Sequence, residues 1–137
     1  MHIPVDRMET GWLIGTWEFT YVAKNVSAPF GDFYHFANDG LHVWECPFKG
    51  AGGRRKWPKF EGRFNYRESS SGYWVEWPEA SYFFPCWFVG DQMFSTGRDG
   101  RDWCLRKLKV KPEFMSYFVG EDGELYPRKG RFRLNRR

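Results

Sequence analysis

The sequence lacks the cysteine pattern of a disulfide-stabilised or zinc-binding protein. Its 137 residues include only three cysteines, Cys46, Cys86 and Cys104, an odd number at wide spacing without a C-x-x-C pair. Such a set gives neither a disulfide framework nor the ligand spacing of a structural zinc site. We therefore expect reduced, mostly buried thiols that behave as small apolar side chains.

Long apolar runs and a leader-like start are also missing. No segment approaches the roughly 20 consecutive apolar residues of a membrane helix. The first ten residues, MHIPVDRMET, contain no cationic start followed by an apolar stretch, which is what a secretory signal requires. The sequence thus predicts a soluble, cytoplasmic protein with no membrane association.

Alanine and leucine, which favour helices, are scarce, whereas aromatic residues make up 21% of the chain and glycine occupies 15 positions. This balance favours strands and turns, and therefore an all-β fold. The length suits one domain spanning residues 1–137, with enough chain to bury a core.

Alternation of apolar and polar residues predicts a series of short strands. It is regular in residues 12–22 and does not slip at all in residues 60–67. Between strands, Asn38-Asp39-Gly40 supplies residues that tolerate the positive φ of a tight turn. The predicted strands are 12–22, 32–37, 41–46, 60–67, 73–77, 81–89, 92–96 and 101–109.

About eight short strands joined mostly by tight turns predict a single antiparallel up-and-down β-barrel. We expect the barrel to span about residues 11–109 and to be followed by a C-terminal extension, 110–137. Within that extension, the stretch FMSYFVGEDGELY fits either a further hairpin or a short helix packed outside the barrel. Both alternatives stay open at this stage.

Three stretches in order carry a family resemblance: LIGTWEF at residues 13–19, an NDG hairpin at 38–40, and WCLRKL at 103–108. This order resembles lipocalin-like proteins of the calycin group, here as a divergent intracellular member. In that family, a G-x-W motif places its tryptophan across one end of the barrel beneath a basic residue of the last strand. The resemblance implies barrel closure by Gly15, Trp17 and Lys107, with Arg106 as the alternative cation.

A set of aromatic residues is predicted to face the barrel lumen. Large apolar walls with a few hydroxyl and indole donors suit a pocket for a flat or hydrophobic molecule. The same rings could instead fill the barrel completely, since eight strands can enclose a solid core. The predicted ligand-binding residues are Trp17, Tyr21, Phe64, Tyr66, Tyr73, Trp77, Tyr82, Phe84 and Trp103.

A metal site is not predicted, and no cofactor is expected. His42 and Cys46 lie four residues apart on one strand, so their Cα atoms are separated by roughly 13 Å, far more than the ligands of one zinc ion. His35 and His42 could approach each other across the hairpin in one register. Two ligands alone do not make a site.

Catalytic patterns are weak as well. Alternation places Glu18, Glu61 and Glu76 outside the barrel, whereas the hairpin leaves the facing of His35 and Glu45 ambiguous. The chain contains no G-x-S-x-G motif and no phosphate-binding P-loop. An enzyme that uses His35, Tyr21 or a lumen carboxylate is therefore the third hypothesis, and no catalytic residue is assigned.

The net charge of +4 is concentrated at the end of the chain. Residues 127–137 hold six basic residues and no acidic one, while the preceding 126 residues hold 15 basic and 17 acidic residues. A second basic cluster lies at residues 54–59. No nucleic-acid-binding motif accompanies this charge, so we do not expect nucleic acid as a partner.

Residues 81–89, SYFFPCWFV, are apolar on both faces, although one face of a barrel strand normally contacts water. Phe83, Trp87 and Val89 should therefore be covered by the C-terminal extension or by a second subunit. A homodimer through Phe83 and Trp87 follows as an expectation.

The first functional hypothesis is non-catalytic binding of a small hydrophobic or aromatic molecule in the lumen. Its polar contacts would come from Tyr21, Tyr66 and Tyr73. The second is a protein-interaction module with a packed barrel, acting through its outer aromatic strand and its basic tail.

Overall fold

The computed structural model describes residues 2–4, 11–23, 26–46, 60–97, 100 and 102–127. All regular secondary structure in these residues is β. The strands are β1 His2–Pro4, β2 Gly15–Ala23, β3 Val26–Phe36, β4 Leu41–Cys46, β5 Phe60–Ser69, β6 Gly72–Glu76, β7 Ser81–Val89, β8 Gln92–Thr96, β9 Asp102–Leu108, β10 Phe118–Val119 and β11 Leu125–Tyr126.

Strands β2 to β9 form a closed antiparallel up-and-down barrel of eight strands, as the sequence predicted. Each strand pairs with the next one in the chain, and β9 pairs back onto β2. The closing register places Trp17 opposite Lys107 and Tyr21 opposite Trp103. Closure pairs both edges of every barrel strand, which removes the open edge that a flat sheet would present.

The hairpin between β3 and β4 sets the register of the barrel wall around the site. Ala37 and Leu41 flank a three-residue turn in which Gly40 has a φ of 89°, and the Ala37 amide donates to the Leu41 carbonyl at 2.9 Å. Turns of this length commonly place a residue with positive φ at their last position. As a result, Phe36 lies opposite His42, and His35 lies opposite Val43.

Two features of the barrel wall were not predicted. Strand β3 begins at Val26 rather than near residue 32, and its register against β2 shifts between Phe19 and Thr20. Such a β-bulge bends a strand and sharpens its twist. In addition, the short strand β1 pairs with the last three residues of β7, from Trp87 to Val89.

The C-terminal segment, defined here as residues 112–127, contains the β10–β11 hairpin rather than a helix. It packs on the outside of β2, β3 and β4, where Ala37, Val43, Tyr117, Val119 and Leu125 form a second buried apolar cluster. The Asn38 amide donates to the Gly123 carbonyl at 2.9 Å, which joins the hairpin to the β3–β4 turn. One wall of the barrel is therefore covered from outside.

No helix long and apolar enough to cross a membrane occurs among the described residues.

Candidate functional site: the barrel lumen

One end of the lumen is filled by side chains. Leu13, Trp17, Phe36, Phe88 and Met93 are all buried there and pack together. Interiors packed in this way leave few voids larger than a water molecule. This packed end forms the floor of the barrel.

The residues of the G-x-W motif lie at the packed end. Lys107 Nζ is 5.1 Å from the centre of the Trp17 ring, within the range of a cation–π interaction. Gly15 has a φ of 146°, and a Cβ atom at this position would approach Lys107 Cε to 2.9 Å. Arg106, the alternative cation, instead pairs with Glu18 on the outer surface. The positive φ of Gly15 favours glycine at this position, whereas the flexible Lys107 stem could move away from a Cβ atom.

The other end of the lumen contains a cavity of about 380 Å³. Its described walls are mostly aromatic and aliphatic, with a few polar groups between the rings. The lining residues are Phe19, Asp32, Tyr34, His42, Trp44, Phe64, Tyr73, Val75, Trp77, Phe84, Ser95, Gly97, Trp103 and Leu105. This volume lies within the range of small-molecule sites, roughly 300–1,000 Å³.

Five of the nine predicted ligand-binding residues line this cavity: Phe64, Tyr73, Trp77, Phe84 and Trp103. Three of the other four lie elsewhere. Trp17 belongs to the packed end, and the Tyr66 hydroxyl donates to the Ala37 carbonyl at 2.6 Å. Tyr82 packs against Trp77 with ring centres 4.6 Å apart. The side chain of Tyr21 lies outside the described residues.

The β3–β4 hairpin contributes four lining residues that were not predicted to bind a ligand: Asp32, Tyr34, His42 and Trp44. Their inward facing depends on the register across the turn, which alternation alone left ambiguous. The sequence feature that could have predicted this register was the three-residue turn ending in Gly40. It would have placed the even-numbered residues of both strands inside the barrel.

Asp32 places a buried carboxylate in the wall of the cavity. Trp44 donates its indole N–H to Asp32 Oδ2 at 3.2 Å, and the Cys46 thiol donates to Oδ1 at 3.1 Å. A buried carboxylate requires such donors because burial removes its hydration. Asp32 was not among the residues predicted to face the lumen.

His42 is buried against aromatic rings on the inner face of β4. Its ring stacks on Phe36 with centres 4.4 Å apart and planes 7° apart, and Tyr34 meets it edge-on at 5.3 Å. His42 Nδ1 donates to the His35 carbonyl at 3.2 Å. Burial lowers the pKa of His42 to about 3, so the ring is neutral at physiological pH.

The hypothesis that His35 acts inside the lumen is wrong. His35 and Glu45 both face outward, because each is one residue out of phase with the inward side chains of its strand. They lie beneath the C-terminal segment and are 0% exposed. His35 Nε2 donates to Glu45 Oε1 at 2.8 Å.

Thr16 and two backbone amides complete a buried polar cluster around this pair. Thr16 Oγ1 is 2.9 Å from His35 Nδ1 and accepts a hydrogen bond from the Val119 amide, also at 2.9 Å. Glu45 Oε2 accepts from the Ser116 amide at 2.6 Å. The cluster of Thr16, His35 and Glu45 thus fastens the C-terminal segment to the barrel wall.

Although threonine, histidine and glutamate resemble a hydrolytic triad in type and order, a triad needs an accessible nucleophile. Thr16 is fully buried beneath the segment, and its oxygen already contacts both His35 and Val119. The arrangement therefore acts as a structural clamp.

Phe83 and Trp87, the predicted dimer residues, face outward on β7. Phe83 packs on Trp74 with ring centres 5.1 Å apart, and Trp87 stacks on Phe94 at 6.0 Å. Both side chains are half-buried, and the C-terminal segment covers the β2–β4 wall instead of this one. The homodimer stays a prediction.

The basic residues at 54–59 and 128–137 lie outside the described residues.

Within the described part of the chain, no group of three or more histidine, cysteine, aspartate or glutamate side chains could hold a metal ion. No family model matches the sequence, and a search of curated proteins finds no significant match.

Proposed function

We propose that this protein binds a small, flat, mostly apolar molecule in the barrel lumen without catalysing a reaction. The observation that carries the proposal is the cavity of about 380 Å³ at one end of a barrel whose other end is tightly packed. A void of this size costs stability, because its walls lose the contacts that a filled core would make. A ligand would restore those contacts.

The composition of the walls supports a flat ligand. Trp44, Trp77 and Trp103 lie around the same cavity as Phe64 and Phe84. Aromatic rings of this kind make offset-stacked or edge-on contacts with another ring system. The alternative of a protein-interaction module with a packed barrel has less support, since it requires a filled lumen.

The closed end supports a finer proposal, that the chain is a divergent lipocalin-like protein. Gly15, Trp17 and Lys107 lie together at the floor of an eight-stranded barrel, in the arrangement that the resemblance implies. Barrels of this size can hold one small ligand at the end opposite the floor.

Blocking the cavity tests the binding proposal. Val75 lines the cavity and is 3% exposed, so Val75→Phe would place a ring in the space that a ligand needs. We expect native mass spectrometry to find a co-purified small molecule, or titration to show binding of a hydrophobic fluorescent dye, for the wild type. Val75→Phe should reduce dye affinity at least tenfold.

Glu76→Phe is the matched control, because it adds the same ring to the exposed outer face of the same strand. This variant should bind the dye as the wild type does. Thermal unfolding checks that all three proteins are folded. Equal dye affinity in Val75→Phe and the wild type, or a folded wild type that binds neither dye nor a co-purified molecule, would overturn the proposal.

A further inference from the structure

We infer that the ligand is an uncharged ring system with an N–H or O–H group, and that this group donates a hydrogen bond to His42 Nε2. This inference rests on the proposed binding function and adds the chemical class of the ligand. Its basis is a ring nitrogen of fixed protonation on a buried side chain that lines the cavity.

The hydrogen bond at the other ring nitrogen determines which proton His42 carries. Nδ1 lies 3.2 Å from the His35 carbonyl oxygen. A carbonyl can only accept a hydrogen bond, so the proton of the neutral ring is on Nδ1. Nε2 is then unprotonated and can only accept.

The ring is held in this orientation by its neighbours. Phe36 stacks against one face at 4.4 Å, and Phe64 lies 5.9 Å away at a tilt of 35°. His42 is only 5% exposed, and burial lowers its pKa to about 3. Nε2 therefore remains an acceptor at physiological pH.

Among the residues that the structure describes, none hydrogen-bonds to His42 Nε2 or to the hydroxyls of Tyr34 and Tyr73. His42 and Tyr73 are buried and Tyr34 is half-buried, and all three side chains line the cavity. Burial raises the pKa of both tyrosines, so each hydroxyl keeps its proton. Buried polar groups are nearly always paired in native proteins, and a ligand that supplies one donor and accepts from a hydroxyl would pair them.

The charge of the described walls argues against an anionic ligand such as a fatty acid. No lysine or arginine occurs among the described lining residues, and Asp32 contributes a carboxylate. A ligand carboxylate would lose its hydration in the cavity without gaining a cationic partner from these described walls. A neutral donor avoids that cost.

Three small probes separate these features by isothermal titration. Indole is flat and carries one N–H donor, benzothiophene has a similar shape but no N–H, and indole-3-carboxylate adds a negative charge. For the wild type, we expect indole to bind about tenfold more tightly than benzothiophene, since a buried acceptor left unpaired weakens binding. Indole-3-carboxylate should bind more weakly than either neutral probe.

His42→Phe keeps a ring in the stack and removes the acceptor. We expect the variant to lose the preference for indole, with indole affinity falling about tenfold and benzothiophene affinity unchanged or higher. Phe84→Leu is the comparison variant, because Phe84 forms an apolar wall of the same cavity and packs on Tyr73 rather than on His42. It should weaken both probes alike.

A nitrogen NMR spectrum of the wild type provides a measurement that needs no variant. The Nε2 signal of His42 should move when indole is added and remain in place with benzothiophene. Equal affinity of the wild type for indole and benzothiophene, or equal losses for both in His42→Phe, would overturn the inference and leave the binding proposal standing. Failure of every probe to bind folded protein, together with absence of a co-purified molecule, would overturn both.

Discussion

The two histidines of the β3–β4 hairpin lie on opposite faces of the same barrel wall, and both are buried. His35, on the outer face, has hydrogen-bond partners for both ring nitrogens within the chain. His42, on the inner face, has a partner for Nδ1 only among the described residues. Similar burial therefore has two outcomes: the outer cluster is satisfied within the fold, and the inner ring keeps one nitrogen without a partner among the described residues.

This difference is useful for interpreting buried polar groups in other small barrels. A cluster in which each side-chain polar atom has a partner adds stability and specificity, and it needs no ligand. An acceptor without a partner at the wall of a cavity costs stability until something pairs with it. The predictions below test the two faces separately.

The largest effect should come from removing the carboxylate of the outer cluster. Glu45→Ala would leave His35 Nε2 and the Ser116 amide without their acceptor in a fully buried site. We expect the free energy of unfolding in urea to fall by about 3 kcal/mol. Glu76→Ala is the control. Glu76 is exposed, and its contact with Arg67 is long at 3.9 Å, so its loss should change stability by less than about 0.5 kcal/mol. Similar losses in both variants would contradict a clamp at Glu45.

As pH falls, we expect the protein to lose stability first through His42 on the inner face and then through Glu45 on the outer face. The folded chain keeps the pKa of His42 near 3 against an ordinary 6.5, so below pH 6.5 the unfolded chain binds a proton that the folded chain does not. Stability supplied by neutral His42 is therefore lost as pH falls. Between pH 6.5 and about pH 5, the loss should be about 1 to 2 kcal/mol.

Urea unfolding of the wild type and His42→Phe across this pH range measures the effect. The stability of the wild type should fall relative to that of the variant as pH is lowered. Parallel curves would show that His42 is not held neutral.

A second loss of stability is expected below pH 4.5. Burial alone would raise the pKa of Glu45, but hydrogen bonds from His35 and Ser116 outweigh it and hold that pKa below 4.5.

A smaller effect is expected at the hydroxyl that joins the barrel to the C-terminal segment. Thr16→Val keeps the shape of the side chain but leaves the Val119 amide without its acceptor. We expect a loss of about 1 to 2 kcal/mol and faster hydrogen exchange at the Val119 amide. Thr20→Val is the control. It removes a hydroxyl that donates to the Cys104 carbonyl on β9, the barrel strand that pairs with β2 at closure. If that control accelerates exchange at Val119 equally, Thr16 has no specific role in holding the segment.

The smallest effect should occur at the packed end. Lys107→Met keeps an apolar stem against Trp17 while removing the ammonium group, and we expect a loss of about 0.5 to 1 kcal/mol in thermal or urea unfolding. Dye binding in the cavity should not change, because neither residue lines it. Weaker dye binding in Lys107→Met would show that the two ends of the lumen are not independent.

Much of the barrel was predictable because its cause is local. Alternation in residues 60–67 and the turn at Asn38-Asp39-Gly40 both act over a few residues, and together they predicted strands in the correct order. The start of β3 was missed, since residues 26–31 include Pro29 and Gly31, which usually disfavour a regular strand. The bulge near Phe19 accommodates that irregular stretch.

The candidate site was less predictable, since it depends on register. Phe64, Tyr73 and Trp77 were selected because their own strands alternate clearly. Tyr34 and His42 were missed because their facing depends on how two strands pair across a turn. A shift of one residue would have exchanged the inner and outer faces of the strand. For the same reason, sequence alone did not place His35 on the outside.

By itself, the sequence determined that the chain forms short antiparallel strands, that they close into one barrel, and that many aromatic rings face inward. Alternation and turn chemistry are local properties, so they can be recognised without knowing what lies nearby. Tertiary structure decided that one end of the lumen is filled and the other contains a cavity. It also decided that the C-terminal segment buries His35 while His42 faces the lumen. These outcomes depend on the register and packing of distant segments, which no short stretch of sequence encodes.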